Sequence, residues 1–498
     1  MNSLQTFDVY AWTFVSIYLG SLIIVGFVGF KARKENTLKD FYLAGSGFGL
    51  VVIFLTLYAT QYSGNTLFGY SGKTYRVGYA WIMSVHFMTA IVACFLIYAP
   101  RLYARAQKFD YITPTDYLQH RFNSKAINII ATIIMIVVLS NYLLAQLMAM
   151  GRAMQGLSSG APAEAYQQGV ILLTLIMLIY GTLGGLRAVA WTDVIQGLVL
   201  ITGFIILIIM LFKQFGPISQ ATMTIQQMSE GTKASVPEAN RLREWLSYII
   251  IVGLGSVLYP QAIQRIYAAR SEKVLRQGLA FMAFAPLFTV LIAVITGIYA
   301  IAYIPGLEGT QSDQVLTRIL AIVQGDSILG YWLVVVLFSA ILAAMMSTAD
   351  SALLSISSML SKDIYGSYIN ADASEARLTL MGKLFSWCLI IFLVWLAIYL
   401  SDKASLLKLL DRKFDLLIQL APAFMISIHW KQMKAIPTFW GLISGVIFSL
   451  WLAYGGFSFV EGGKLYGFHP GLAGLVLNCL IAVGGSIYIN KKALIRSA

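Results

Sequence analysis

The feature that most constrains this chain is its supply of long apolar runs without a formal charge, among them residues 165–186 and 197–211. The hydrocarbon core of a bilayer is about 30 Å thick and takes about 20 helical residues to cross. Inside it the backbone must bond to itself, which leaves α-helices or a closed β-barrel. Barrel strands alternate apolar and polar residues with period two, and these runs do not. Helices are therefore the reading. Composition agrees: 58% of the 498 residues are hydrophobic and 11% are charged, where a soluble protein is about 25% charged.

A net charge of +13 raises the question of nucleic acid. The basic residues sit in the short segments between apolar runs, not in one patch or tail, which is the pattern of membrane topology. No nucleic-acid partner is expected, and no obligatory protein partner is inferred. Cys94, Cys388 and Cys479 lie within or beside apolar runs with neither ligand nor disulfide spacing. His86, His120, His429 and His469 are scattered and form no metal motif. The first apolar run ends in Lys31, Arg33 and Lys34 and is too long for a signal-peptide core, so a retained helix is expected.

The pattern predicts an all-α polytopic membrane protein with thirteen transmembrane helices, at 8–30, 47–71, 77–105, 126–155, 164–183, 189–213, 245–268, 275–303, 328–359, 378–400, 404–429, 436–455 and 470–489. With the N-terminus outside, most of the 35 basic residues fall in cytoplasmic segments, such as Arg101, Arg105 and Lys108, or Arg265, Arg270, Lys273 and Arg276. This bias predicts a multi-pass protein of the plasma (inner) membrane with its C-terminus in the cytoplasm. The outer segment 214–244 is predicted to hold a short surface helix. Span 404–429 carries Lys408, Asp411, Arg412, Lys413 and Asp415 in its first half, so part of it must face water or a polar interior.

Two spans are interrupted. Ala59, Thr60, Gln61, Tyr62, Ser63, Gly64, Asn65 and Thr66 place a polar run in the middle of span 2. In span 7, Gly253, Leu254, Gly255 and Ser256 are followed by Tyr259, Pro260 and Gln261, and a proline frees a carbonyl four residues back. Broken helices at membrane depth survive only where protein or a wet cavity satisfies the backbone, and their exposed ends bind ions and polar solutes. Either stretch alone could be a simple kink. Together they begin two equivalent five-helix units, spans 2–6 and 7–11. An odd unit repeated in tandem inverts its orientation, which gives a five-plus-five inverted-repeat core. In these terms 1–498 is one transporter domain, with 8–30 an extra N-terminal helix, 47–213 the first repeat, 245–429 the second, and 436–489 two extra C-terminal helices.

Span 9 holds a third polar patch. Ala344, Ser347 and Thr348 share one helix face through i, i+3 and i+4 spacing. A hydroxyl there can share the Ala344 carbonyl and still offer lone pairs to a hard cation such as sodium. The same hydroxyls also suit plain close packing of helices. Asp193 and Asp350 are acids near helix ends or within spans, and such acids are functional candidates by default.

At this point the residues resemble a known family. Phe41-Tyr42-Leu43-Ala44-Gly45, Ala59 to Gly64, Tyr180-Gly181-Thr182-Leu183-Gly184-Gly185, Trp191-Thr192-Asp193, Gln264-Arg265, Met346-Ser347-Thr348-Ala349-Asp350-Ser351 and Lys362-Asp363-Ile364-Tyr365 occur in the order and spacing of the sodium:solute symporters. The resemblance covers about residues 8–489. It implies thirteen helices and a shared sodium site between spans 2 and 9. Carried over, the carbonyls of Ala59, Tyr62 and Ala344 and the hydroxyls of Ser347 and Thr348 would hold the ion, with Asp193 supporting from behind. The proline branch has an acid where this chain has Gln61, and the sugar branch has an Asn-Gln pair where this chain has Tyr259 and Pro260.

The functional expectation is sodium-coupled symport of a small polar solute, an amino acid or small organic acid more than a sugar, by alternating access. Sodium is the coupling ion and no cofactor is expected. Gln61, Thr66, His86, Tyr259 and Gln261 are the candidate solute contacts, and helix ends and amides are the candidate holders of an anionic group. Proton-coupled symport and a non-transporting sensor or scaffold are the alternatives. No nucleophile, base and orienting group can be paired, so an enzyme is not expected.

Overall fold

Helices account for the architecture, as the apolar runs require, and the computed structural model describes residues 7–33, 35, 37–62, 65–157, 162–228, 231–401 and 406–497. The helices of the first half are α1 (Val9–Lys31), α2 (Leu38–Leu43), α3 (Leu50–Gln61), α4 (Tyr70–Val77), α5 (Met83–Phe109), α6 (Asp116–Phe122), α7 (Lys125–Leu157), α8 (Pro162–Phe215) and α9 (Ile218–Gln227). The second half adds α10 (Ala239–Ser256), α11 (Pro260–Ala268), α12 (Glu272–Met282), α13 (Ala285–Phe288), α14 (Val290–Tyr303), α15 (Val315–Asp326), α16 (Ile328–Ser358), α17 (Glu375–Tyr399), α18 (Leu406–Leu417), α19 (Ser427–His429), α20 (Ala435–Tyr454), α21 (Pro470–Cys479) and α22 (Gly485–Ser497). Among the described residues the only strands are β1 (Val460–Glu461) and β2 (Lys464–Leu465), an antiparallel hairpin before α21. The surface helix expected in 214–244 is α9.

Thirteen separate spans are expected from the sequence; nine of the described helical stretches are long and apolar enough to cross a membrane, or ten if α10 and α11 form one bent span. The difference has physical causes. Spans 164–183 and 189–213 run as the single 54-residue α8, kinked at Gly185. The φ and ψ of Gly185 are not helical, so α8 is two helical arms that meet at this residue, between the two expected spans. Span 47–71 is divided, with the short α3 on one side of the break and a helical stretch continuing into α5 on the other. Span 404–429 is the charged α18 followed by a 3-10 turn at Ile418–Leu420, a π-helical turn at Pro422–Ile426 and α19.

The helices stop where the polar runs are. Tyr62 leaves the helical region at the end of α3 (φ −104°, ψ 87°), and the chain resumes as a π-helical turn at Asn65–Gly69. Ser63 and Gly64 lie outside the described residues. In span 7, α10 ends at Ser256 and Pro260 opens α11, with the axis turning by 51°. Pro260 fits the first turn of a helix because the missing N–H has no intrahelical partner there. Both breaks face α16, whose residues 337–358 are all buried. That burial on every side explains how α16 can carry so many hydroxyls.

The two broken spans are also joined. The Phe48 amide donates to the Ala268 carbonyl at 3.0 Å and the Arg270 amide to the Phe48 carbonyl at 3.0 Å, so the approach to α3 is pinned to the end of α11. Beyond α16, the Lys362 ammonium holds Asp116 at 2.6 Å and Asp363 accepts from the hydroxyls of Thr113 and Thr115 at 2.9 and 2.6 Å. The Lys362-Asp363 motif thus fixes the end of span 9 to the α5–α6 connection.

Gly185 is the residue that the shape of α8 demands. Its φ of +58° and ψ of −155° are open essentially to glycine alone, and a Cβ would lie 2.6 Å from the Phe41 carbonyl oxygen. Gly185→Ala is expected to destabilise the protein by about 1–3 kcal/mol. A thermal-unfolding series in detergent would show it as a lowered midpoint.

Candidate functional site

The centre of the site is a contact between α3 and α16. The Thr348 hydroxyl lies 2.9 Å from the Ala59 carbonyl oxygen and 2.9 Å from the Ala344 carbonyl oxygen. Ala59 is three residues before Tyr62, the last described residue of the α3 side, so its carbonyl lies in the final turn of that helix. Ser347, the preceding residue on α16, turns its hydroxyl the other way and donates to Asp193 on α8. Ala59, Ala344, Ser347, Thr348 and Asp193 are all buried. Tyr62 stands one turn beyond Ala59, its ring stacked on Tyr58 with centroids 4.8 Å apart. The structure therefore gathers the sequence-predicted ion residues on two elements that are distant in sequence.

Behind them is a buried ion pair. Arg265 on α11 is 1% exposed and donates from Nη2 to Asp193 at 3.2 Å. The same guanidinium donates to Ser351 at 2.6 Å, to the Gln261 carbonyl at 3.2 Å, and from Nε to the Thr56 carbonyl and hydroxyl at 3.1 and 2.8 Å. Thr56 in turn donates to Asp193. The carboxylate thus accepts from Thr56, Ser347 and Arg265, and four helices meet on it. The sequence places Arg265 in a cytoplasmic segment beside Arg270 and Lys273; the structure corrects this, because α11 turns Arg265 inward against Asp193. Gln264 is also inward, bonded to Ser355 and, at 3.0 Å, to Ser358. Asp350 is buried with one carboxylate oxygen unpartnered, and Gly181 packs so closely that a Cβ would fall inside that carboxylate.

Four of the five candidate solute residues converge beside the two breaks. Gln61, Thr66, Tyr259 and Gln261 are buried. Gln61 reaches across to the Ser256 carbonyl at 3.4 Å, and Thr66 bonds back to the Gln61 carbonyl at 3.3 Å. Both polar atoms of the Gln261 amide are without a partner. Tyr259 stacks on Tyr142 of α7, with centroids 5.2 Å apart and planes at 13°. Tyr142 in turn donates to the Thr60 carbonyl at 3.1 Å. His86 does not join them. It is exposed, 5.5 Å from the Trp245 ring, and lines an outer pocket of about 340 Å³ with Met83 and Arg241. The 3-10 turn at Gly78–Ile82 sets the phase of α5 so that Ser84 and Phe87 point inward and His86 points away.

Sequence reasoning missed two partners of this cluster. Tyr142 gave no signal beyond an aromatic residue in an apolar run. Lys413 was visible as one of the charges of span 404–429, but its neighbours were not. Its ammonium sits 3.6 Å from the Tyr142 ring centroid, 5.2 Å from that of Tyr259 and 5.3 Å from that of Phe414, and the residue is 2% exposed. A cation–π contact contributes about 0.5–2 kcal/mol, while burying an ammonium costs several, so the rings offset only part of the loss of water.

Two discontinuous helices that bring backbone carbonyls, hydroxyls and the unpartnered Gln261 amide to a shared buried centre are the architecture of a secondary transporter of the broken-helix kind. A profile of the sodium:solute symporter family matches residues 41–445, and the chain belongs to that family. It is 26% identical over 500 residues to the osmoregulated proline transporter OpuE of Bacillus subtilis, covering 96% of this chain and 95% of that one. It is 27% identical over 460 residues to a sodium/proline symporter of Staphylococcus aureus, covering 88% and 85%. Its fold matches a solved sodium-coupled sialic acid symporter, in a substrate-bound outward-open state, with a TM-score of 0.75 and 22% identity over 95% of this chain and 98% of that one. The protein is a multi-pass plasma-membrane transporter, not an enzyme, and couples sodium to the movement of a small polar solute.

Removing one member of a buried ion pair leaves the other charge uncompensated, which costs about 3–5 kcal/mol. Arg265→Met and Asp193→Asn are each expected to lower the thermal midpoint in detergent sharply. The double substitution is expected to recover part of that loss, because no lone charge remains. Additive losses in the double-mutant cycle would show that the pair is not coupled.

Proposed function

We propose that sodium is carried at the α3–α16 contact, held by the backbone carbonyls of Ala59, Tyr62 and Ala344 and the hydroxyls of Ser347 and Thr348. The observation that carries this reading is the Thr348 hydroxyl within hydrogen-bond reach of both the Ala59 and the Ala344 carbonyls. Without the ion, the Thr348 proton bridges two oxygens that would otherwise repel. With it, the proton turns aside and all three oxygens face the cation. Ser347 keeps its proton on Asp193, which leaves its lone pairs directed at the ion. Asp193 therefore positions a ligand and is not one itself.

The same reading supplies the topology. Thirteen crossings follow if α8 counts as two, divided at Gly185, and if the broken spans and 404–429 each count as one. Residues 47–213 and 245–429 are then inverted five-span repeats, with 8–30 and 436–489 as added helices, the N-terminus outside and the C-terminus in the cytoplasm. The breaks in the first span of each unit support it. The solute lies beside them, against Gln61, Thr66, Tyr259 and Gln261, and is an amino acid or small organic acid, the class that the proline-transporting relatives also handle.

Coupling follows from the two-sided site. One sodium crossing 100 mV inward with a neutral solute supplies about 2.3 kcal/mol, whereas with an anionic solute the charges cancel and the sodium concentration gradient is the drive. Sodium fastens α3 to α16 in the outward-open form and so shapes the solute site next to the break. Solute then permits closure and inward opening, and low internal sodium releases the ion. Each ligand must bind the two forms with different affinity for this to work.

The test is sodium-dependent uptake in proteoliposomes with Ser347→Ala and Thr348→Ala. Each is expected to raise the half-saturating sodium concentration at least about tenfold, equivalent to about 1.4 kcal/mol. Unchanged sodium affinity would remove the ion from this site. Uptake that follows an imposed pH gradient and ignores sodium would make the protein a proton-coupled symporter. Sodium and solute binding without accumulation would make it a sensor.

A further inference from the structure

Among the described side chains of α18, every charged one other than Lys413 has a partner. Asp411 accepts from Tyr248 at 2.6 Å and lies 3.7 Å from Lys464 and 3.6 Å from His469. Arg412 and Asp415 hold each other at 2.9 Å, and Asp415 also accepts from the Gly471 amide at 2.8 Å. The outer cluster around Asp411 has no negative charge to spare, since Glu244 and Asp411 face Lys73, Arg241 and Lys464. Among the described residues no carboxylate comes within ion-pair distance of the Lys413 ammonium, whose surroundings are the rings of Tyr142, Tyr259 and Phe414.

The position of this lone cation is the point. Tyr259 immediately precedes Pro260 at the break of span 7, and Tyr142 is bonded to Thr60 at the break of span 2. Lys413 therefore faces both breaks through the two rings. Two residues past Tyr259 is Gln261, fully buried, with neither amide atom partnered. A carboxylate between them would receive a charge-assisted hydrogen bond from Lys413 and a neutral one from the Gln261 amide nitrogen. What the cluster does not offer is an anion for a solute ammonium: Gln61, Thr66, Tyr142, Tyr259 and Gln261 are all uncharged. A zwitterion would leave its positive end beside a buried lysine.

We propose that Lys413 anchors the carboxylate of the transported solute, and that this solute is a monocarboxylate anion rather than a zwitterionic amino acid. The proposal rests on the reading that the solute lies between the broken halves of spans 2 and 7. Lys413 supplies the charge, the stacked rings of Tyr142 and Tyr259 hold its ammonium beside the breaks, and Gln261 fixes the orientation of the carboxylate. The ammonium is thus balanced when solute is bound and only ring-stabilised when it is not.

The full-length protein in proteoliposomes tests this with labelled propionate and labelled L-proline as probes, and unlabelled propionate, lactate and propionamide as competitors. Propionate is expected to accumulate under an inward sodium gradient, to be displaced by lactate, and to be unaffected by propionamide, which has the same shape without the charge. Lys413→Gln is expected to raise the KM for propionate at least about thirtyfold, and Lys413→Arg to retain part of the affinity. Sodium-induced thermal stabilisation of Lys413→Gln should match that of the parent protein, which shows that the fold and the ion site persist. Loss of sodium stabilisation in the parent protein would count against the symport reading itself. Sodium-driven proline uptake that resists a hundredfold excess of propionate and lactate would overturn the proposal while leaving that reading intact. So would a Lys413→Gln protein with unchanged propionate KM.

Discussion

The interior of this transporter is organised around one guanidinium. Arg265 has five donors in a rigid fork, and the structure sends them to the α3 backbone and the Thr56 hydroxyl, to its own helix, to Asp193 on α8 and to Ser351 on α16. Those are the elements that frame the ion site. Pairing and hydrogen bonding offset much of the cost of burying a charge this deeply. The requirement runs both ways: the helices must stay where they are to satisfy the arginine, and the arginine holds the broken ends of spans 2 and 7 at a fixed distance from α16.

That frame explains why two adjacent residues on α16 have different duties. Successive positions on a helix point about 100° apart. Ser347 therefore looks toward Asp193 while Thr348 looks toward Ala59. The first is tied to a fixed anion and cannot follow α3; the second touches α3 directly. A cation bound between them, as proposed, would read the separation of α3 from α16, because its ligands would come from both bodies. A small parting of the two helices strips carbonyl oxygens from the ion without disturbing the Asp193 pair behind it. Differential affinity in two states then needs no more than this geometry.

Legibility in the sequence followed the physics of exposure to lipid. Polar residues inside an apolar run are conspicuous, so the runs 59–66 and 253–261 were legible as interruptions, and the helices end within them at Gln61 and Ser256. Helix continuity was less legible: Arg187 and the glycines before it look like a loop, yet the chain passes through Gly185 as a kink within α8. Direction was least legible. Arg265 stands among residues that belong to a basic loop, and nothing local says that α11 rotates it inward. His86 fails for the same reason, since the phase of α5 is set by the Gly78 turn and not by its own composition. Lys413 could be seen as a charge in an impossible place, but its neighbours come from α7 and α10–α11 connections more than 150 residues away in sequence, and no pattern within α18 names them.

The formal charges of the interior make one further step possible. Asp193 and Arg265 cancel; Asp350 and Lys413 are of opposite sign and stand at separate places in the core, each without an ion-pair partner among the described residues. These four formal charges sum to zero, and a sodium ion would add one positive charge. Crossing a low-dielectric barrier is easier for a neutral load than for a charged one, because the desolvation of a net charge rises steeply as the dielectric falls. An ion held at the α3–α16 contact and a negative group held near Lys413 are on different helices, so neither neutralises the other locally. They neutralise the occluded complex as a whole. On the proposed assignments, a lone lysine on α18 and ion ligands on α3 and α16 would let the protein bind each partner at its own site and still close around a load with little net charge.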